Sequence, residues 1–185
     1  MKSILLWGGV GILVAGGLVA LLTFANPSEV SQSQEPTGQD YSTQMSHEGA
    51  THVAEGTEVS YQSNPPTSGS HWPDPLLDGL YDTEKPEEAL VHSLEHGRIW
   101  VSYKPDIGEE AIQALKNVLE GQSRVILTPR AANDTHIALA AWTRLDTFNL
   151  SEGGTFDAQR ILDFVIRYRD KGPEYVPQMT GKIYD

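Results

Sequence analysis

The chain of 185 residues carries 13 Lys and Arg against 25 Asp and Glu, a formal net charge of −12, and it contains no Cys. The acidic balance argues against a nucleic-acid-binding protein, because phosphate recognition requires a basic face. The absence of Cys excludes a disulfide framework, a thiolate metal site and a Cys nucleophile. A metal site in this chain would therefore depend on imidazole, carboxylate or thioether ligands.

An apolar segment without any charged residue covers residues 4–25. Its 22 residues match the roughly 20 that are needed to cross a bilayer as a helix. Lys2 precedes the segment and acidic residues follow it, so the positive-inside bias places the N-terminus in the cytoplasm. We therefore predict one N-terminal transmembrane helix, with residues 1–25 as a signal anchor. A cleaved signal peptide is the alternative, because the sequence 23–25 fits a peptidase site.

The next segment, residues 26–56, is rich in Ser, Gln, Glu, Thr and Gly and has no basic residue. Such a composition buries too little apolar surface to offset the entropy of ordering the chain. It predicts a disordered acidic tether, and about 30 residues of coil reach roughly 30 Å. We expect the folded domain to span residues 57–185 and to stand clear of the membrane.

The folded domain alternates between strand and helix signals around one long loop. Residues 64–81 contain several prolines and glycines, and a loop of this length in a compact domain is often functional. The order β-loop-α-β-α-β-β-α predicts an α+β domain with a small mixed sheet and two or three packed helices. The predicted elements are strands over 58–62, 98–103, 125–127 and 136–142, and helices over 86–96, 109–120 and 155–169.

Six histidines are present, and two of them, His92 and His96, lie four residues apart in the first predicted helix. This spacing brings two imidazoles within reach of one metal ion. A helical wheel turns the leucines of this helix toward the core and the histidines toward solvent. His71 in the Pro-rich loop is a candidate third ligand, and His52 and Met179 are weaker candidates. Histidines at this spacing also occur by chance and then only form hydrogen bonds or face solvent.

Residues 92–96 also fit the H-x-x-E-H pattern of a class of zinc peptidases. In that pattern the two histidines bind Zn²⁺ and the glutamate, here Glu95, activates water. The helix must end at Gly97, however, and no second helix offers an obvious glutamate as the third ligand. A zinc hydrolase with Glu95 as its weak catalytic candidate is therefore the third of three hypotheses.

Two segments of the domain resemble the bacterial DUF3105 family. They are Tyr61-x-x-Asn64-Pro65-Pro66-Thr67-Ser68-Gly69-x-His71, and Leu90-Val91-His92-Ser93-Leu94-Glu95-His96-Gly97 followed by a strand that ends in Tyr103. Ala141-Trp142 and Gly172-Pro173-Glu174 look like later landmarks of the same family. The resemblance implies an N-terminal membrane anchor with the domain outside the cytoplasm. It implies no reaction, and the residues that match are His52, His71, His92, Glu95 and His96.

We expect a membrane-anchored extracytoplasmic domain, periplasmic or at the cell surface, that binds copper or zinc through His71, His92 and His96. Glu95 would then fix the tautomer of a histidine, and a thioether from Met179 would favour copper. The alternative is a metal-free structural module of the cell envelope that acts through a protein partner. In that case His71 and the helix pair hold the Pro-rich loop by hydrogen bonds.

Overall fold

The computed structural model describes residues 35–178 and 181–184. Within these residues the chain forms a six-stranded mixed sheet and three helices, which confirms the predicted α+β class. The elements are β1 Thr43–Gln44, β2 Gly79–Leu80, α1 Glu87–Glu95, β3 Ile99–Tyr103, α2 Glu109–Leu119, β4 Val125–Pro129, β5 Ile137–Ala141, β6 Arg144–Phe148 and α3 Ala158–Tyr168.

The sheet has the strand order β1-β6-β5-β3-β4-β2. β3 lies at its centre, parallel to β4 and antiparallel to β5, and both of its neighbours are fully buried strands. The two edge strands, β1 and β2, have two residues each, which limits the exposed backbone available for unwanted pairing.

Side chains of β3 alternate between the two faces of the sheet, and each face has its own core. Ile99, Val101 and Tyr103 pack with residues of α2 and α3 on one face. Trp100 packs on the other face with Leu90 and Leu94 of α1. α1 therefore covers the second face of the sheet, and the loop at Trp72 and the segment at Glu174 contact its opposite side.

Several local predictions differ from the structure, and the two short edge strands β1 and β2 were not predicted either. Residues 58–62 adopt no strand, and α3 begins after the N-cap Asp157 rather than at Thr155. β6 was not predicted, because the turn that joins it to β5 carries neither Gly nor Asn. Thr143 occupies the left-handed backbone position of this turn with a φ of 57°, a conformation that a β-branched residue adopts only under tertiary constraint.

The predicted tether is wrong over residues 35–56, because these residues belong to the same compact unit as the rest of the domain. The amides of Thr37 and Gly38 both donate to the buried carboxylate of Asp163, and β1 pairs with β6. Backbone hydrogen bonds thus hold a segment that has few apolar side chains, and the domain begins near residue 35 rather than 57.

The predicted membrane segment, residues 4–25, lies outside the described residues and stays a prediction. Among the helices of residues 35–178 and 181–184, none is long and apolar enough to cross a membrane.

Candidate metal centre

α1 contributes His92, Glu95 and, as its C-cap, His96. The helical wheel predicted that the histidine side of this helix faces solvent, and this is wrong. His92 is 3% exposed and His96 is 7% exposed. Two segments distant in sequence cover this side of α1, since the carbonyl of Trp72 contacts His92 and the amide of Glu174 donates to the carbonyl of Glu95 at 3.1 Å.

The Pro-rich loop and the N-terminal segment bring two more histidines to α1. His52 and His71 form an isolated parallel bridge, in which the amide of Val53 donates to the carbonyl of His71 at 2.8 Å. The His71 amide donates in turn to the carbonyl of Thr51 at 3.0 Å. The ring centroids of His52, His71 and His92 consequently lie 4.7–4.9 Å from one another.

Backbone carbonyls fix the tautomer of two of these histidines. Nδ1 of His71 lies 2.8 Å from the carbonyl oxygen of Gly69, and Nδ1 of His92 lies 2.7 Å from that of Trp72. A carbonyl oxygen only accepts hydrogen bonds, so both Nδ1 atoms carry the proton. Nε2 of each ring is then left with a lone pair, which is the form in which histidine binds metals.

The Nε2 atoms meet one another and two carboxylates at short distances. His71 Nε2 lies 3.0 Å from Oε2 of Glu95, yet among the described residues it has no aligned hydrogen-bond partner, and the side chain is fully buried. His96 Nε2 lies 3.1 Å from His92 Nε2 and 3.1 Å from Oε2 of Glu174. Lone pairs of imidazole and carboxylate that face each other repel, unless a proton or a cation lies between them.

Burial controls the ionisation of this cluster. It lowers the pKa of His92 to about 3, with the neighbouring His96 adding to the effect. Burial also lowers the pKa of His71, although the hydrogen bond to the Gly69 carbonyl opposes this shift. It lowers the pKa of His96 in the same way, although Glu174 opposes the shift. Burial also raises the pKa of Glu95, and Glu174 raises it further. The three imidazoles are therefore neutral at pH 7 and able to act as ligands.

The donor atoms form two overlapping groups, in each of which all atoms lie within 4.8 Å of one another. We call His52, His71, His92 and Glu95 the inner set, and His92, Glu95, His96 and Glu174 the outer set. Four ligands at about 2.05 Å in a tetrahedron are about 3.3 Å apart. The three short contacts, at 3.0, 3.1 and 3.1 Å, are close to this value. Either set could hold a metal ion.

The sequence-based candidates are thus divided between the two sets. His71 and His96 fall in different sets and His92 in both, while Met179 lies outside the described residues. His136 accepts a hydrogen bond from the amide of Leu150 at 3.1 Å and belongs to neither donor set. Glu174 was missed as a ligand, and the only signal was its place after the Gly172-Pro173 helix stop.

The H-x-x-E-H pattern has a different geometry here from a peptidase helix. α1 ends at Glu95, and the additional carboxylate comes from Glu174 in an irregular segment. Glu95 directs its carboxylate to the same point as the histidines and belongs to both donor sets. Its carboxylate could therefore hold a metal ion together with the histidines.

The fold and the cluster define a small α+β domain with a buried centre of histidine and glutamate side chains. The chain belongs to the family described as protein of unknown function (DUF3105), whose model matches residues 52–181. This confirms the resemblance noted in the sequence, and the matched range contains every member of both donor sets. No curated protein and no solved structure matches the chain.

Proposed function

We propose that this domain binds one transition-metal ion, copper or zinc, through the inner set. His71 Nε2, His92 Nε2, a ring nitrogen of His52 and a carboxylate oxygen of Glu95 are its ligands. Three imidazoles and one carboxylate suit Zn(II) or Cu(II), whereas a site for Mg²⁺ or Ca²⁺ would consist of oxygen ligands. Met179 would shift the preference toward Cu(I) if its thioether joined the site.

One observation carries the proposal. The buried His71 and His92 donate Nδ1–H to backbone carbonyls, so the lone pair of each Nε2 atom points into the cluster. His71 Nε2 lies 3.0 Å from the carboxylate of Glu95, and the two atoms form no aligned hydrogen bond. Metal-binding histidines almost always donate their second ring N–H in this way, and the donation raises the basicity of the ligating nitrogen. A bound cation would remove the repulsion that the arrangement otherwise contains.

We further propose that the domain works outside the cytoplasm, tethered by residues 1–25. The apolar run 4–25, the single Lys2 before it and the acidic residues after it support this location. The linker between residue 25 and the domain would be short, because the described part of the chain already begins at residue 35. An ion-binding domain so close to a membrane would exchange its ion with a partner in the cell envelope.

A metal-free structural module is the second candidate, and the same hydrogen bonds favour it. The bonds from His71 to Gly69 and from His92 to Trp72 hold the Pro-rich loop against α1. A proton shared between Glu95 and His71 would then satisfy the facing lone pairs in place of a metal. Such a domain would act through its surface and would bind no ion.

Substitution by asparagine separates the two candidates. The amide nitrogen of Asn takes the position of histidine Nδ1 and can still donate to the carbonyl, but Asn has nothing in the position of Nε2. We therefore compare the full-length chain, kept in mild detergent because of residues 4–25, with the double variant His71→Asn plus His92→Asn. His47→Asn is the matched control, since His47 is exposed and belongs to neither donor set.

Zn²⁺ and Cu²⁺ at 100 times the dissociation constant should stabilise the wild-type chain by about 2.7 kcal/mol. The His47→Asn control should be stabilised by the ions as much as the wild type, and the double variant should not be stabilised. Both variants should still unfold cooperatively without metal. A wild-type chain that binds neither ion, or a double variant that keeps the full stabilisation, would contradict metal binding through these residues. Under the structural module neither ion would stabilise the wild type, and the double variant, which keeps the hydrogen bonds to the two carbonyls, would be about as stable as the wild type.

A further inference from the structure

We propose that the outer set is a second, weaker position for the same transition-metal ion, and that the ion passes between the two sets through their shared ligands. This inference rests on the proposed function. It assigns to His96 and Glu174 a role in ion transfer that the inner site does not need.

The shared ligands make the two positions alternatives rather than a pair. Nδ1 of His92 is engaged by the carbonyl of Trp72, so His92 has one lone pair, on Nε2, and binds one ion at a time. A complete inner set and a complete outer set therefore cannot coexist. An ion can move from one to the other by exchanging His52 and His71 for His96 and Glu174, while His92 and Glu95 stay bound.

The outer set is the weaker of the two because its own ligands are less firmly held. His71 is fully buried and its Nδ1 is fixed by a carbonyl, whereas Nδ1 of His96 is buried without a hydrogen-bond partner among the described residues. The side chain of Glu174 is 60% exposed. Loss of a supporting hydrogen bond behind a ligand commonly costs about 10–100-fold in metal affinity. The ion should therefore rest in the inner set.

The position of Glu174 is determined by extensive contacts rather than by a loose tail. The guanidinium of Arg98, 2% exposed, donates to the carbonyls of Val176 and Gln178 at 2.9 and 2.7 Å. A Cβ atom on Gly172 would lie 2.1 Å from the carbonyl oxygen of Glu95, so glycine is required for this close approach. The segment 172–178 is thereby fixed against the end of α1 with Glu174 on His96.

Exposure along the cluster describes a route for the ion. Each set has one exposed ligand, His52 in the inner set and Glu174 in the outer set, and the buried ligands lie between them. An ion that enters at one exposed ligand can leave at the other without becoming fully hydrated on the way. Stepwise ligand exchange of this kind suits a protein that hands its ion to a partner.

The test is the rate at which the full-length chain gives up Zn²⁺. Wild type and Glu174→Gln are loaded with one equivalent of Zn²⁺ and mixed with an excess of a chromophoric chelator, and the dissociation constant is measured separately by competition. The matched control is Glu152→Gln, because Glu152 is exposed and belongs to neither donor set. The proposed transfer requires the ion to leave mainly past Glu174 rather than past the exposed His52, so removing this position slows entry and exit together and leaves the affinity nearly unchanged.

We expect Glu174→Gln to slow release by about tenfold, with the dissociation constant within about threefold of wild type. His71→Asn should instead weaken the affinity by at least about tenfold. If Glu174→Gln released Zn²⁺ faster and its dissociation constant rose by the same factor, Glu174 would be an ordinary ligand of a single site, and the inference would be overturned. A release rate equal to that of the control would overturn it too, although Zn²⁺ binding by the wild type would leave the proposed function intact.

Discussion

Gly172 allows the C-terminal segment to approach α1, and alanine at this position should disrupt that contact. An added Cβ would lie 2.1 Å from the Glu95 carbonyl oxygen, 2.4 Å from the Gly97 amide nitrogen and 2.8 Å from the Glu95 carbonyl carbon. All three atoms belong to the backbone, so no side chain can rotate out of the way. The segment has to move by about 1 Å, which close-packed interiors do not absorb without strain.

The cost can be worked out from the contacts that this movement breaks. Overpacking by one methyl group costs about 1–3 kcal/mol. The hydrogen bond from the Glu174 amide to the Glu95 carbonyl, at 3.1 Å, is lost as well, and contributes about 1 kcal/mol. Gly172→Ala should therefore lower the free energy of unfolding by about 2–4 kcal/mol.

Urea denaturation of the full-length chain in mild detergent, followed by tryptophan fluorescence, measures this loss. Gly153→Ala is the matched control, because its nearest neighbour is the hydroxyl oxygen of Ser151 at 3.9 Å and neither glycine has a positive φ. The control should change the free energy of unfolding by less than about 0.5 kcal/mol. If Gly172→Ala were as mild as the control, the close contact between the C-terminal segment and α1 would be refuted.

Three further predictions follow from the buried polar groups. Arg98→Met should lower the free energy of unfolding by about 3 kcal/mol, since it leaves Asp78 and the Gln178 carbonyl without their partner. The carbonyls of His96 and Val176 lose one of two donors and keep Arg124. A loss below about 1 kcal/mol in urea would contradict this. Glu95→Gln should weaken Zn²⁺ binding at least about tenfold in a competition assay, whereas unchanged affinity would remove Glu95 from the site. Burial alone would raise the pKa of Asp163, but the Thr37 and Gly38 amides and Gln159 outweigh it and hold the pKa below its usual 3.8. Its contribution is thus complete above the unfolded pKa and is lost as the pH falls through the folded value. The stability difference between wild type and Asp163→Asn should accordingly be largest at pH 6 and shrink near pH 2, and a constant difference would contradict the assignment.

The elements that the sequence predicted correctly depend on local patterns. Helix α1 and the four-residue spacing of His92 and His96 follow from periodicity within nine residues, and β3, β4 and β5 follow from short apolar runs. β6 escaped prediction because its turn uses Thr143 at a positive φ. Distant segments hold this residue: its amide donates to the Thr67 carbonyl, and its carbonyl accepts from the Met45 amide.

The features that the sequence did not predict come from contacts between distant segments. A helical wheel treats the side of α1 opposite the leucines as open, but the Pro-rich loop at Trp72 and the segment at Glu174 cover it. Residues 35–56 were predicted to be disordered because of their composition. Composition does not show that a distant side chain, here the carboxylate of Asp163, accepts hydrogen bonds from the backbone amides of this segment. Glu174 lies 78 residues from His96 in sequence, so spacing alone could not pair them.

The central claim, that His71 and His92 present Nε2 to a shared ion, is tested most directly by anomalous X-ray diffraction from crystals of the Zn²⁺-loaded chain. We expect a zinc peak about 2.0–2.1 Å from both Nε2 atoms, with an oxygen of Glu95 among the remaining ligands. Both Nδ1 atoms should still contact the carbonyls of Gly69 and Trp72. Zinc bound only by exposed side chains, or a cluster that holds no zinc at saturating Zn²⁺, would contradict the account.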